Sequence, residues 1–191
     1  MQIDDAKCNE LELDRFLSGF EDPRFENLIR HWLALRQDDP VPHRSAVDPA
    51  QFRDLLNIAW LLERHPDGHY RYRLAGETIA GIHGGIRHGS DTSALFNPQA
   101  LEMFRARWEA VLDGGHLVRA EGVVHLADGY QVSRVERLML PLRGDDGAVS
   151  VILGATSYDR PRTASHLTTR DFPPTDVQTC PLTGIPLGSN R

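Results

Sequence analysis

Nine histidines are the first residues to test for chemistry, because imidazole is a common metal ligand and carries protons near neutral pH. A metal site would show as histidines four apart on a firm helix, or as Cys-x-x-Cys pairs. Neither pattern occurs, so no metal site is expected. His83 and His88 lie among Gly81, Gly84, Gly85 and Gly89, too many glycines for a rigid helix, and read as solvent-exposed loop histidines. The two cysteines, Cys8 and Cys180, lie one near each end of the sequence. They read as incidental thiols, and no disulfide scaffold is expected. Catalytic signatures are missing too: there is no Gly-x-Ser-x-Gly elbow, no phosphate-cradling Gly-x-x-x-x-Gly-Lys loop, and no dinucleotide-binding context around Gly81–Gly85.

Charged and aromatic residues offer binding rather than catalysis. Arg73 could hold a carboxylate or phosphate through two parallel hydrogen bonds, or brace a strand end by pairing with Glu77 or Glu136. Arg44, after a proline-rich turn, has the same two readings. In the run from Tyr130 to Leu142, Val132, Leu138, Leu140 and Leu142 share one parity that Arg134 and Glu136 interrupt. Either a bulge that shifts the register or an edge effect disturbs the pattern, the reading adopted, or one face is apolar at one end and charged at the other, the lip of a pocket for a small amphipathic ligand. Trp60, Tyr72, Phe96, Phe104 and Trp108 could line such a pocket, or fill a plain core.

Several elements are marked clearly enough to position these residues. Asp22-Pro23 caps and starts a helix whose apolar stripe is Phe25, Leu28, Ile29, Trp32 and Leu33; residues 10–19 form a weaker turn or helix before it. Asp48-Pro49 opens a short helix to about Leu56. Strands are predicted over 58–64 and 69–75, joined by Pro66-Asp67-Gly68. Asn97-Pro98 starts a long helix with Leu101, Phe104, Trp108, Val111 and Leu112 on one side, ended by Gly114-Gly115. Strands over 118–126, 130–142 and 148–158, with turns at Ala127-Asp128-Gly129 and Asp145-Asp146-Gly147, form an antiparallel meander. Beyond Arg160 the chain is rich in proline and threonine without periodicity.

The balance of charge limits the partners. The 191 residues carry 21 basic and 27 acidic side chains, a net charge of −6. That disfavours nucleic acid and docking on an anionic membrane. No apolar run is long enough to span a bilayer, and the acidic N-terminus lacks the pattern of a secretory signal. A cytoplasmic protein is expected.

The order of elements, together with His31-Trp32, Leu35-Arg36, Pro42-His43-Arg44, Val47-Asp48-Pro49, Tyr72-Arg73-Leu74-Ala75-Gly76 and Arg137-Leu138-Met139-Leu140-Pro141-Leu142, resembles the PAS fold over about residues 24–158. More specifically, it is similar to a divergent bacterial PAS branch of small, stand-alone proteins. The resemblance implies an α+β architecture: a five-stranded antiparallel sheet with helices on one face, preceded by an N-terminal amphipathic helix. Residues 1–47 would be a helical extension and linker and 48–159 the sensory domain; 160–191, outside the resemblance, read as a Pro/Thr-rich tail, flexible alone or draped on a surface. The resemblance also implies a sensory and signal-transduction module without catalysis of its own, acting through a small ligand, protein contact or both. The candidate ligand-binding residues are Trp60, Tyr72, Arg73, Phe104, Trp108, Arg134 and Glu136. The candidate dimer and transducing helix is Phe25, Leu28, Ile29, Trp32 and Leu33, with a homodimer and a signalling protein as partners. The alternatives are a haem sensor using His83 or His88, near where some PAS sensors ligate haem, and a structural adaptor with no ligand.

Overall fold

The computed structural model describes residues 10–37, 39–125, 132–158, 176–183 and 185. The expected turn at 127–129, Cys8, and residues 160–175 of the expected tail lie outside them.

The sequence signals produce the helices for identifiable reasons. Helix α1 spans Glu10–Ser18. Helix α2 spans Pro23–Ala34, and the Asp22 carboxylate caps it by accepting the Arg24 backbone N–H. The Arg24 guanidinium grips the same carboxylate and holds its pKa below the usual range. A 3₁₀ segment, Pro49–Leu55, is capped in the same way by Asp48. Between the first two strands and the long helix lie two short helices, α3 (Glu77–Ile82) and α4 (Thr92–Leu95). Helix α5 is Pro98–Leu112, its start held by Asn97, which accepts the Ala100 N–H.

Six strands, β1 (Ala59–Arg64), β2 (Tyr70–Ala75), β3 (His116–His125), β4 (Val132–Arg143), β5 (Val149–Tyr158) and β6 (Asp176–Pro181), form one antiparallel sheet in the order β2-β1-β5-β4-β3-β6. The first five match the expected strands closely. The sixth corrects the expected count of five. Asp176–Pro181, within the segment expected to be a tail, pairs with β3. Its Thr179 and Cys180 face Val118 and Leu117, and Leu182 and Ile185 beyond it are buried. Cys180 is disulfide-bonded, which corrects the reading of it as an incidental thiol.

The long helix covers one face of the sheet, and the N-terminal amphipathic helix α2 packs on the other. Alternation along the strands divides the side chains. Trp60, Tyr72, Ala120, Arg137, Met139 and Thr156 share the face beneath α5, where Tyr70 meets Trp108 with ring centroids 4.7 Å apart. Arg119, Glu121, Glu136, Leu138 and Leu140 share the opposite face. There Arg119 sits over the Phe20 ring at 5.1 Å, and the Glu136 carboxylate accepts the backbone N–H groups of Glu21 and Asp22 at 2.9 and 3.1 Å. Trp32 on α2 donates its indole N–H to the Pro141 carbonyl at 2.9 Å. Below, the α5 side is called the inner face and the α2 side the outer face.

Candidate functional site

The inner face closes over a small cavity. Trp60 on β1, Tyr72 on β2, Arg137 on β4 and Thr156 on β5 form its floor, and Phe104 and Trp108 on α5 its roof. Ile79 on α3, His83 just after it, and Phe96 close the side. The free space is about 20 Å³, roughly what one water molecule requires.

Each wall has a local cause. Trp60 lies flat on the sheet because its register partner on β5 is Gly154; a Cβ there would stand 2.1 Å from the indole ring. The 3.6-residue repeat of α5 sets Phe104 and Trp108 one above the other, stacked at 13° with centroids 5.9 Å apart. Phe96 packs against Phe104 at 4.8 Å, and His83 meets Phe96 edge-on at 5.5 Å. Gly84 and Gly85, both at positive φ, turn the chain sharply after α3 and so fix where His83 points.

The polar groups of the cavity converge on the Thr156 hydroxyl. It accepts the Trp60 indole N–H at 3.0 Å and the Arg137 Nε–H at 3.1 Å. The Arg137 guanidinium sits 5.0 Å above the Phe104 ring centroid, and that of the buried Arg107 on α5 lies 5.7 Å from the same centroid. Neither arginine has a carboxylate within ion-pair distance among the described residues. Burial, with a smaller contribution from Arg137, pushes the Arg107 pKa down to about 10. The same two causes push His83 down to about 4, so its imidazole is neutral at pH 7. Burial raises the phenols of Tyr72 and Tyr158, keeping both neutral.

The structure brings together Trp60, Tyr72, Phe104 and Trp108 from the expected ligand-binding set. It places Arg73, Arg134 and Glu136 elsewhere, because strand alternation puts all three on the outer face. Arg73 pairs across the strands with Glu63 at 2.7 Å, not with Glu77 or Glu136. Arg134 pairs with Glu21 and Glu121, and Arg119 with Glu121 and Glu136. No bulge separates Arg134 from Glu136, since β3 and β4 stay in register from Val118↔Met139 to His125↔Val132. Of the bulge or edge effect expected there, the bulge does not occur. The face is apolar at one end and polar at the other, and its polar end fastens the start of α2. Arg44 binds Asp145, bracing one loop against another.

His83 also corrects its expectation, since it is half-buried in the cavity wall rather than solvated; exposed His88 instead hydrogen-bonds the Arg73 carbonyl. A haem does not fit beside His83: the space is one water in size, and a guanidinium lies where a macrocycle would need apolar room. Of the transducing helix, Phe25, Leu28, Ile29 and Trp32 are completely buried within the chain itself, and Leu33 is half-buried. Sequence reasoning missed Arg137 and Thr156, and named His83 only as an alternative haem ligand. A signal for Arg137 was present: it shares parity with Val135 and Met139, so a cation interrupts the buried inner face of β4.

An antiparallel sheet with short helices and one long helix closing a small cavity defines a PAS-type domain. A PAS domain family model matches residues 21–157, and the chain belongs to this family of sensory and signalling modules. A search of curated proteins finds no match. Among the described residues, no helix is long and apolar enough to cross a membrane.

Proposed function

We propose that the protein is a non-catalytic sensor that couples occupancy of the inner-face cavity to a signalling partner through α2. The observation that carries this reading is the cavity itself, an aromatic cage with a few convergent polar groups. The output side follows from β4. Its Arg137 faces the cavity, while the preceding residue, Glu136, holds the start of α2 and Pro141 holds Trp32. A shift of β4 on ligand entry would therefore reach both ends of the helix.

The partners are a signalling protein and a second copy of the chain. A dimer built on Phe25, Leu28, Ile29, Trp32 and Leu33 requires α2 to leave its own sheet, so the dimer is the released state and the monomer the docked one. The small cavity favours a second reading, an adaptor whose core is simply packed and which acts by contact alone.

Native mass spectrometry of freshly purified protein separates the two. The sensor reading expects a non-covalent small-molecule adduct whose removal changes the fluorescence of Trp60 and Trp108. No adduct, and no thermal shift with any member of a metabolite set, leaves the adaptor.

A further inference from the structure

We propose that the inner-face cavity binds a small monovalent anion, a halide or the carboxylate end of a short acid, held by Arg137 and the Thr156 hydroxyl with Arg107 adding field. The inference rests on the sensor reading and names the class of ligand.

The argument begins with charge. Arg107 and Arg137 crowd one phenylalanine ring, and no described carboxylate neutralises either. Removing a cation from water without a partner is costly. Ring faces return only part of that, about 0.5–2 kcal/mol for each contact. Everywhere else on the sheet this chain pairs its arginines: Arg73 with Glu63, Arg119 with Glu121 and Glu136, Arg134 with Glu21 and Glu121, Arg143 with Asp39. The exception falls at the cavity.

Hydrogen-bond polarity points the same way. The Thr156 hydroxyl, buried at 2 % exposure, has both acceptor sites taken by Trp60 and Arg137, so its own proton is left to donate. Arg137 can only donate, and so can the Trp60 indole. Tyr72 and Tyr158 are neutral, and His83 is neutral at pH 7. The cavity thus offers donors and a positive field with no competing anion among the described residues, in a space suited to one or a few heavy atoms. Its side wall, Ile79 to Phe96, includes Gly81, Gly84, Gly85 and Gly89. This is the wall that would yield to a short acid larger than a halide.

The test is ³⁵Cl NMR line broadening on the full chain in low-chloride buffer, with bromide and acetate as competitors. We expect saturable broadening in the parent protein. Reversal by acetate identifies a site open to carboxylates; reversal by bromide alone identifies a halide site. Arg137→Met should weaken the effect at least tenfold and Arg107→Met severalfold, while Arg134→Met on the outer face leaves it unchanged. Should Arg137→Met fail to fold, Thr156→Val removes the hydroxyl donor and must weaken binding on its own. Absence of saturable broadening, or equal broadening in all variants, overturns the anion. A neutral adduct in native mass spectrometry would then leave the sensor reading standing, whereas no adduct would end both.

Discussion

The two faces of the sheet treat charge in opposite ways. On the outer face, Arg119, Arg134, Glu121, Glu136 and Glu21 form a network of ion pairs, and Glu136 takes the N–H groups of Glu21 and Asp22 before α2. On the inner face, Arg107 and Arg137 lie over one aromatic ring with no acid paired to them among the described residues. One arrangement consumes its own charges to fasten a helix. The other keeps a positive field in a space one water wide. Buried charge is costly unless paired, so the paired face reads as scaffold and the unpaired face as the place where something external is received.

The contrast can be broken most forcefully from the outer side. Trp32→Ala removes a fully buried ring and the hydrogen bond to Pro141. It should cost about 3–5 kcal/mol in urea denaturation; a loss below about 1 kcal/mol would mean that α2 is not part of the folded unit. Glu136→Ala strands two backbone N–H groups and part of the Arg119 charge. About 1–3 kcal/mol should be lost, with amide exchange at Glu21 and Asp22 rising sharply. If exchange there stays slow, the latch is elsewhere.

Inner-face changes should be milder and should act on the cavity. Gly154→Ala drives a methyl into the Trp60 ring and should cost about 1–3 kcal/mol, with a shift in tryptophan emission that reports the displaced indole. A titration gives the smallest effect. His83 falls from its ordinary value of 6.5 to about 4 on folding. The unfolded chain therefore binds the proton first, and the stability from a neutral His83 is present above pH 6.5 and is lost as pH falls from there towards 4. His31, whose pKa burial also lowers, adds in the same direction. His83→Phe should flatten the slope of stability against pH in that window but not abolish it. An unchanged slope would place His83 in water.

Much of this was legible in the sequence, because periodicity and caps are local. Asp22-Pro23, Asn97-Pro98 and the turn glycines mark where elements begin and end, and the elements they delimit, α2, α5 and β1 to β5, are in place. The cage aromatics were legible as well, since alternation on β1 and β2 and helical spacing on α5 aim them at one another. Partners at long range were not. Glu136 meets Glu21 across 115 positions, and nothing in the β4 sequence tells an interrupted parity from a bulge. The strand Asp176–Pro181 has little apolar periodicity of its own and is held by pairing with β3, so proline and threonine content hid it. Arg73 was attractive because it precedes the glycine-rich segment, yet period-two alternation turns it away from the cavity and Arg137 towards it.

The central claim is that the inner-face arginine charge awaits an anion, and urea denaturation tests it most directly because urea adds no ions. The parent protein and Arg137→Met would be unfolded in buffers of equal ionic strength, with chloride or acetate as the varied anion against a large, excluded one. The account predicts that the small anion raises the midpoint of the parent only, and that without it Arg137→Met is at least as stable as the parent. Equal response of the two proteins to anion, or a large loss of stability in the variant without it, would show that Arg137 is a structural brace and the cavity a packed core.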